Sequence, residues 1–400
     1  MAEFLRSDIS NVDDYVADRG PARYFHGRKR VLDNFDKLVK ESMEAQGGST
    51  FLIQGAPGAG KTALLEEIAI DALGNQWNVF EINLGDLYNP AQMAQTLGKP
   101  YVSRKQTAIK ADAKVLATER IKEVAGDSSV SRVLEKMNPS QGVLLILDEA
   151  QRIAGFAGSP HTIAVMDILD NLHNGKFNHP TILLVAGLGR TKTAFRSLGI
   201  SRFKGGCFVE LGALGKEAER AVIRDWLIKE GGAKGDPTTW IDAIAQKTHG
   251  WPQHITAYAD AAVKQVKINH GEMTPEGLEV VYQSGMERRE AYYHQRAEEI
   301  SRKERCSLAR LVKNVSIGDG LDKEDIEAAL SQEYGPEKAQ DLFTRVLDRG
   351  ILHSYDGVYT VPIPSMHNWL VSNYGREEIS FPYAPQTRPA FREQDPGRER

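Results

Sequence analysis

Cysteine is nearly missing: Cys207 and Cys306 are the only two in 400 residues. Standing almost a hundred positions apart, they support neither a disulfide framework nor a zinc cluster, and a reducing cytoplasm is the expected compartment. A surplus of one charge is missing too. The 50 Lys and Arg against 54 Asp and Glu leave a formal net charge of -4, which argues against a globally basic nucleic-acid binder but permits a local basic face. No apolar run approaches the roughly 20 residues that span a bilayer. The opening "MAEFLRSDISNVDDYVADRG" is acidic and has no apolar core, so no export signal and no membrane partner are expected. What remains is an ordinary composition, 41% hydrophobic, over a length that suggests about two or three domains.

The most informative stretch is "FLIQGAPGAGKTALLEEIA", residues 51 to 69. Gly55, Gly60, Lys61 and Thr62 meet the G-x-x-x-x-G-K-[ST] pattern of a phosphate loop, with Ala56, Pro57, Gly58 and Ala59 between the glycines and Ala63 after the threonine. The spacing has a mechanical reason. Glycines let successive backbone N–H groups turn inward around phosphates, and a helix starting near Lys61 points its positive end at the same anion. Lys61 is then placed for the β- and γ-phosphates, and the Thr62 hydroxyl for Mg²⁺. "TFLIQ" before the loop reads as a buried strand, and "TALLEEIAIDAL" after it as a helix.

A hydrolase also needs an acidic residue at the end of a neighbouring strand. "GVLLILDEAQRI" supplies it: Val143 to Leu147 reads as a strand buried on both faces, Asp148 follows as a metal ligand, and Glu149 is the candidate to polarise the attacking water. "WNVFEINL" (77 to 84), "TILLVAGL" (181 to 188) and "GCFVEL" (206 to 211) alternate with helical stretches. The fold class expected is α/β, a P-loop parallel sheet.

These residues resemble the AAA+ and STAND ATPases of the origin-recognition/Cdc6-like branch, including bacterial transposition ATPases of the TniB type. The resemblance implies more residues. Phe25, His26, Gly27 and Arg28 match the h-h-G-R segment that packs on adenine in these families, although Lys29 and Val31 stand where STAND proteins carry glutamates; read alone, the segment is also a helix-capping turn. In "ISRF", Arg202 is similar to the arginine finger, a catalytic residue acting in trans on a neighbouring subunit. Gly187, Leu188 and Gly189 occupy the sensor-1 position, with Arg190 or Thr191 as substitutes. "THGWPQHI" resembles the G-x-P segment of the lid, with Gly250 and Pro252 in its fixed positions and Pro252 facing nucleotide; Gln253 and His254 replace the sensor-2 arginine.

The domains expected are an N-terminal arm (1 to 24), the ATPase domain (25 to 214) with a helical insert (89 to 140), a helical lid (215 to 286), a linker helix with a winged-helix domain (287 to 374), and a disordered, proline- and arginine-rich tail (375 to 400). The winged helix either contacts DNA or serves as a nucleotide-responsive packing module. Its third helix mixes Lys338, Gln340, Arg345 and Arg349 with Glu337, Asp341 and Asp348, so its charges nearly cancel. Two functions stay open. One is an ATPase switch using ATP and Mg²⁺, slow or partner-stimulated, whose nucleotide state controls assembly as a homo-oligomer, with a partner ATPase subunit, on DNA or with a protein effector. The other is a signalling scaffold that holds nucleotide and scarcely turns it over.

Overall fold

The computed structural model describes residues 24–45, 47–87, 90–97, 99, 101, 141–156, 170, 173, 179–200, 206–355, 357–375 and 387–389. Arg202, most of the 1 to 24 arm and most of the 89 to 140 insert lie outside the described residues. The chain divides into two compact units. One holds residues up to Gln54, Gly60–Gly187 and Thr191–Leu211; the other holds Gly55–Ala59, Leu188–Arg190 and Gly212–Arg400.

The first unit is built on a five-stranded sheet of order β2-β3-β4-β1-β5: β1 Gly48–Gly55, β2 Asn78–Glu81, β3 Val143–Leu147, β4 Thr181–Gly187 and β5 Phe208–Leu211. The β2–β3, β3–β4 and β4–β1 pairs are all parallel. Every residue of β3 and β4 is buried, as an apolar run covered on both faces requires. Burying each Leu, Ile or Val side chain there contributes about 1.5–3 kcal/mol, so a charge placed in either strand would undo the middle of the sheet. Helix α1 (Lys29–Ala45) buries Val31, Leu32, Phe35, Leu38 and Val39, one face at helical spacing, and the Phe35 ring meets Phe51 of β1 edge-on at 5.5 Å. Helix α2 (Lys61–Gly74) follows the phosphate loop.

Strand β2 is shorter than the 77 to 84 expected from sequence. The Asn83 backbone N–H donates to Asp86 Oδ2 at 2.9 Å, and the Asp86 N–H donates to Asn83 Oδ1 at 3.2 Å. This reciprocal exchange starts the short helix α3 (Leu84–Leu87) and ends the extended run. Helices α4 (Pro90–Leu97) and α5 (Thr191–Ser197) complete the described helices of this unit, together with a 3₁₀ segment, Ala150–Phe156.

The second unit is mainly helical. Helix α6 (Lys216–Asp225) runs on into a π-helical turn, Trp226–Glu230, and is followed by α7 (Thr238–Thr248), α8 (Pro252–Ile268) and α9 (Pro275–Ala297). Helix α8 is rich in buried alanine, and a Cβ on Gly285 of α9 would meet the Tyr258 ring, so the small residues let these two helices close on each other. A capping box, Ser301 with Glu304, starts α10 (Arg302–Val312). Then come β6 (Asp319–Asp322), α11 (Lys323–Tyr334), α12 (Pro336–Asp348), the antiparallel hairpin β7 (His353–Tyr355) and β8 (Val358–Thr360), and α13 (Pro364–Tyr374).

Of the tail expected to be disordered, residues 376–386 and 390–400 lie outside the described residues. Thr387–Pro389 forms β9 and pairs antiparallel with β6, giving a sheet of order β7-β8-β6-β9. The open N–H and C=O groups on the outer side of β6 supply the reason, because an unpaired edge takes up a strand of almost any composition.

Candidate nucleotide site

Strand β1 ends at Gly55, and the loop that follows turns at Gly58 (φ 76°) and Gly60 (φ 89°), both left-handed positions that an L side chain takes up only under strain. Gly60 then serves as the N-cap of α2 with no side-chain cap, at the helix end whose positive dipole suits an anion. Lys61, the first residue of the helix, is buried.

Across the sheet, Thr62 Oγ1 donates to Asp148 Oδ2 at 2.8 Å, tying the start of α2 to the end of β3. The other carboxylate oxygen, Asp148 Oδ1, accepts the Glu149 backbone N–H at 2.8 Å. Glu149 is exposed, with φ 53°, and its Oε2 accepts from Gln151 Nε2 at 2.6 Å. Toward β2, a cavity of about 550 Å³ opens over Asp148 and Glu149, bordered by Glu81, Asn83 and Arg152. Its lining residue Asn83 is bonded to the fully buried Asp86, whose Oδ1 accepts from Thr96 Oγ1 at 3.1 Å.

This chemistry fits a magnesium nucleotide. A hydroxyl and a carboxylate in hydrogen-bonding contact are two oxygen ligands of the kind Mg²⁺ takes, and a left-handed glycine loop opening an uncapped helix suits phosphate. No cluster of three or more His, Cys, Asp or Glu able to hold a metal occurs among the described residues.

The other residues picked out from sequence fall in different surroundings. Phe25, His26 and Arg28 lie in the coil before α1; Gly27 and Arg28 both have positive φ, and the Arg28 carbonyl accepts the Val31 and Leu32 N–H groups, which makes the segment an entry to the helix. Of the two sensor-1 substitutes, Arg190 pairs with Asp348 at 3.1 Å within the second unit, while Thr191 is fully buried in the first. Gly250 (φ 71°) donates its N–H to Glu219 Oε1 at 2.6 Å and sets the turn into α8, where Pro252 takes the first turn. Next to it, the Gln253 N–H donates to the Gly58 carbonyl at 3.2 Å, and Gly58 is grouped with α8 in the second unit. His254 is fully buried beside Tyr293 (Nε2 to hydroxyl 3.0 Å), and burial first, then the Arg289 charge, pulls its pKa down to about 3. It is therefore neutral and offers no charge in place of an arginine.

Gln151 escaped the sequence reading. It stands directly after "DEA", but its importance depends on what lies at Gly187, which no local pattern reveals.

The sheet order, its parallel pairs and the loop between β1 and α2 settle the architecture. The chain has the AAA+ P-loop fold. Solved structures of known proteins share this fold. One is the Walker-type ATPase PABY2304 of Pyrococcus abyssi, with 14% identity over 88% of this chain and 99% of that one, at a TM-score of 0.56. Another is the ORC2 protein of Aeropyrum pernix, solved as ADPNP-ADP complexes, with 14% identity over 90% of this chain and 95% of that one, at a TM-score of 0.50. At such identity the likeness is one of fold. A family model described as Schlafen group 3, DNA/RNA helicase domain, matches residues 48–175, the part of the chain that runs from β1 past β3. Among curated proteins no sequence match is found. No helix of the described residues is long and apolar enough to cross a membrane.

Proposed function

We propose that this chain is a Mg²⁺-dependent ATPase of the AAA+ switch type, whose nucleotide state controls assembly with DNA or with a protein partner. The observation that carries the reading is the Thr62–Asp148 hydrogen bond, which brings the last residue of the phosphate-loop motif to the acidic end of β3 with Glu149 beside it. Bound ATP with Mg²⁺ would supply the phosphoryl group and the charge that steadies its departing oxygen. The chain's residues do the rest. Gly55 to Gly60 offer backbone N–H groups, Lys61 neutralises phosphate charge, and Thr62 and Asp148 hold the metal. Glu149 orients the attacking water, a task of positioning and electrostatics. Phe25, His26 and Arg28 would flank the base, and Arg202 would reach the γ-phosphate of a neighbouring subunit.

The segment from α10 to α13 has the helix, strand, two helices and hairpin order of a winged helix, and we assign it that role. Its α12 favours a protein partner over DNA. Arg345 is held by Glu304, Asp341 (2.8 Å) and the Glu299 carbonyl (3.0 Å), and Arg349 by Glu299, leaving Lys338 and Gln340 exposed beside Glu337. A second reading, a nucleotide-holding scaffold, is favoured by the neutral, buried His254 where a sensor arginine is lacking.

Steady-state ATP hydrolysis across a protein concentration series, with and without duplex DNA at low salt, separates these readings. Turnover that rises more than linearly with protein supports a shared site; negligible turnover with intact ATP binding supports the scaffold. Mixing Arg202→Ala with Lys61→Ala protein is expected to recover part of the activity. No recovery in verified mixed oligomers would remove the trans role of Arg202.

A further inference from the structure

We infer that Gln151 is a positioning residue for Glu149, holding the carboxylate that orients the attacking water from the side on which β4 ends in glycine. The inference rests on the ATPase reading above and concerns the same site. Glu149 is exposed and in a left-handed backbone conformation, so nothing in its own turn fixes where its carboxylate points. The side-chain contact that fixes it is the 2.6 Å hydrogen bond from Gln151 Nε2 to Glu149 Oε2. Gln151 is itself 9% exposed and sits in the first turn of the 3₁₀ segment after β3.

Gln151 packs closely against the end of β4. A Cβ on Gly187 would stand 2.7 Å from Gln151 Oε1 and 3.0 Å from the Gln151 backbone nitrogen, and would collide with the hydroxyl of Thr191. Glycine at 187 thus leaves a space that the Gln151 amide and the fully buried Thr191 fill together. Strand order gives that space a direction: β4 lies between β3 and β1, and Gly187 pairs with Gln54, the residue just before Gly55. The amide therefore tethers the Glu149 carboxylate toward the strand that leads into the phosphate loop. A neutral amide suits the task, because it donates in a fixed direction without cancelling the carboxylate charge, as a lysine or arginine would. In this way the chain places a polar group at the end of β4 although Gly187, Leu188 and Gly189 carry none.

The test compares Gln151→Met and Gln151→Glu with wild type, and repeats Gln151→Met in a Glu149→Gln background, using steady-state hydrolysis for kcat and KM and equilibrium ATP binding. Methionine keeps the volume without the donor; glutamate keeps the shape and replaces the donor with an acceptor. Either change is expected to lower kcat about 10–100-fold while KM and ATP affinity stay within about 2-fold, as for a misplaced catalytic group. In the Glu149→Gln background Gln151→Met should cost nothing further. Wild-type kcat in Gln151→Met, a kcat that rises, or a loss that recurs undiminished without Glu149 would overturn the positioning role. If wild type itself turns over ATP negligibly, the ATPase reading fails and this inference with it; if wild type and Glu149→Gln hydrolyse ATP alike, the ATPase reading stands and only the role of Glu149 and this inference fall, and both results are recognisable before any Gln151 variant is compared.

Discussion

At the end of β3 four polar side chains are linked in two short hydrogen-bonded pairs, Thr62 with Asp148 and Glu149 with Gln151, all uncharged donors meeting carboxylates. On and just after α12 of the second unit the pattern is reversed: Arg345 and Arg349 are matched against Glu304, Asp341 and Glu299, so that both guanidinium charges already have negative partners. The first arrangement leaves net negative charge at a strand end, ready for a cation. The second leaves none to spare. A carboxylate held only by hydroxyl or amide groups can still take a metal or orient water, whereas one held by a guanidinium is spent on the fold. The kind of partner, more than the number of charges, separates a site from a scaffold.

Lys61→Ala should break the contrast most severely. Loss of the buried ammonium at the head of α2 is expected to weaken ATP binding about 100-fold or more, since charge-assisted contacts to phosphate dominate such sites; calorimetric titration showing retained affinity would contradict the phosphate-loop assignment. Glu149→Gln sharpens it next. Binding should persist while hydrolysis falls about 100-fold or more, the range for removing a positioned base, and an unchanged rate would mean that another group places the water.

His254 gives a smaller effect, in the second unit. Its folded pKa of about 3 lies below the ordinary 6.5, so the unfolded chain binds a proton that the folded one refuses. The stability this group contributes is complete above pH 6.5 and is lost progressively as pH falls toward 3. One unit below the unfolded value, the loss is about 1.4 kcal/mol. Melting temperatures at pH 7.5 and 5.5 should show the drop, and His254→Gln should flatten it. The smallest effect is expected from Arg345→Ala, a partly exposed ion-pair residue: roughly 1 kcal/mol of stability by chemical denaturation, with ATP turnover and duplex DNA affinity unchanged. A clear loss of DNA binding in that variant would instead show that α12 reads DNA.

The phosphate loop, β3 and β4 were legible because their signals are local: a glycine spacing and two uninterrupted apolar runs. Helix α1 was legible for the same reason. Strands β6 and β9 were not, since "DGLD" and "TRP" carry no alternation and become strands only through pairing with each other and with β8. Asp148 and Glu149 could be named from sequence, but the φ of Glu149 and the grip of Gln151 depend on how the 3₁₀ turn meets Gly187. The sensor-1 question stayed open for a similar reason. Arg190 and Thr191 are adjacent in sequence, yet one pairs with Asp348 of α12 and the other is buried under β4.

The β9 strand has a practical bearing on any study of self-association. It shields one side of β6, whose backbone groups would otherwise invite a strand from a second molecule. Protein shortened to residue 375 would expose that border and could gather into aggregates by adding strands edge to edge. A rise in particle size with concentration would then report a sticky sheet margin instead of nucleotide-driven assembly, so association is best measured on the chain that retains Thr387–Pro389.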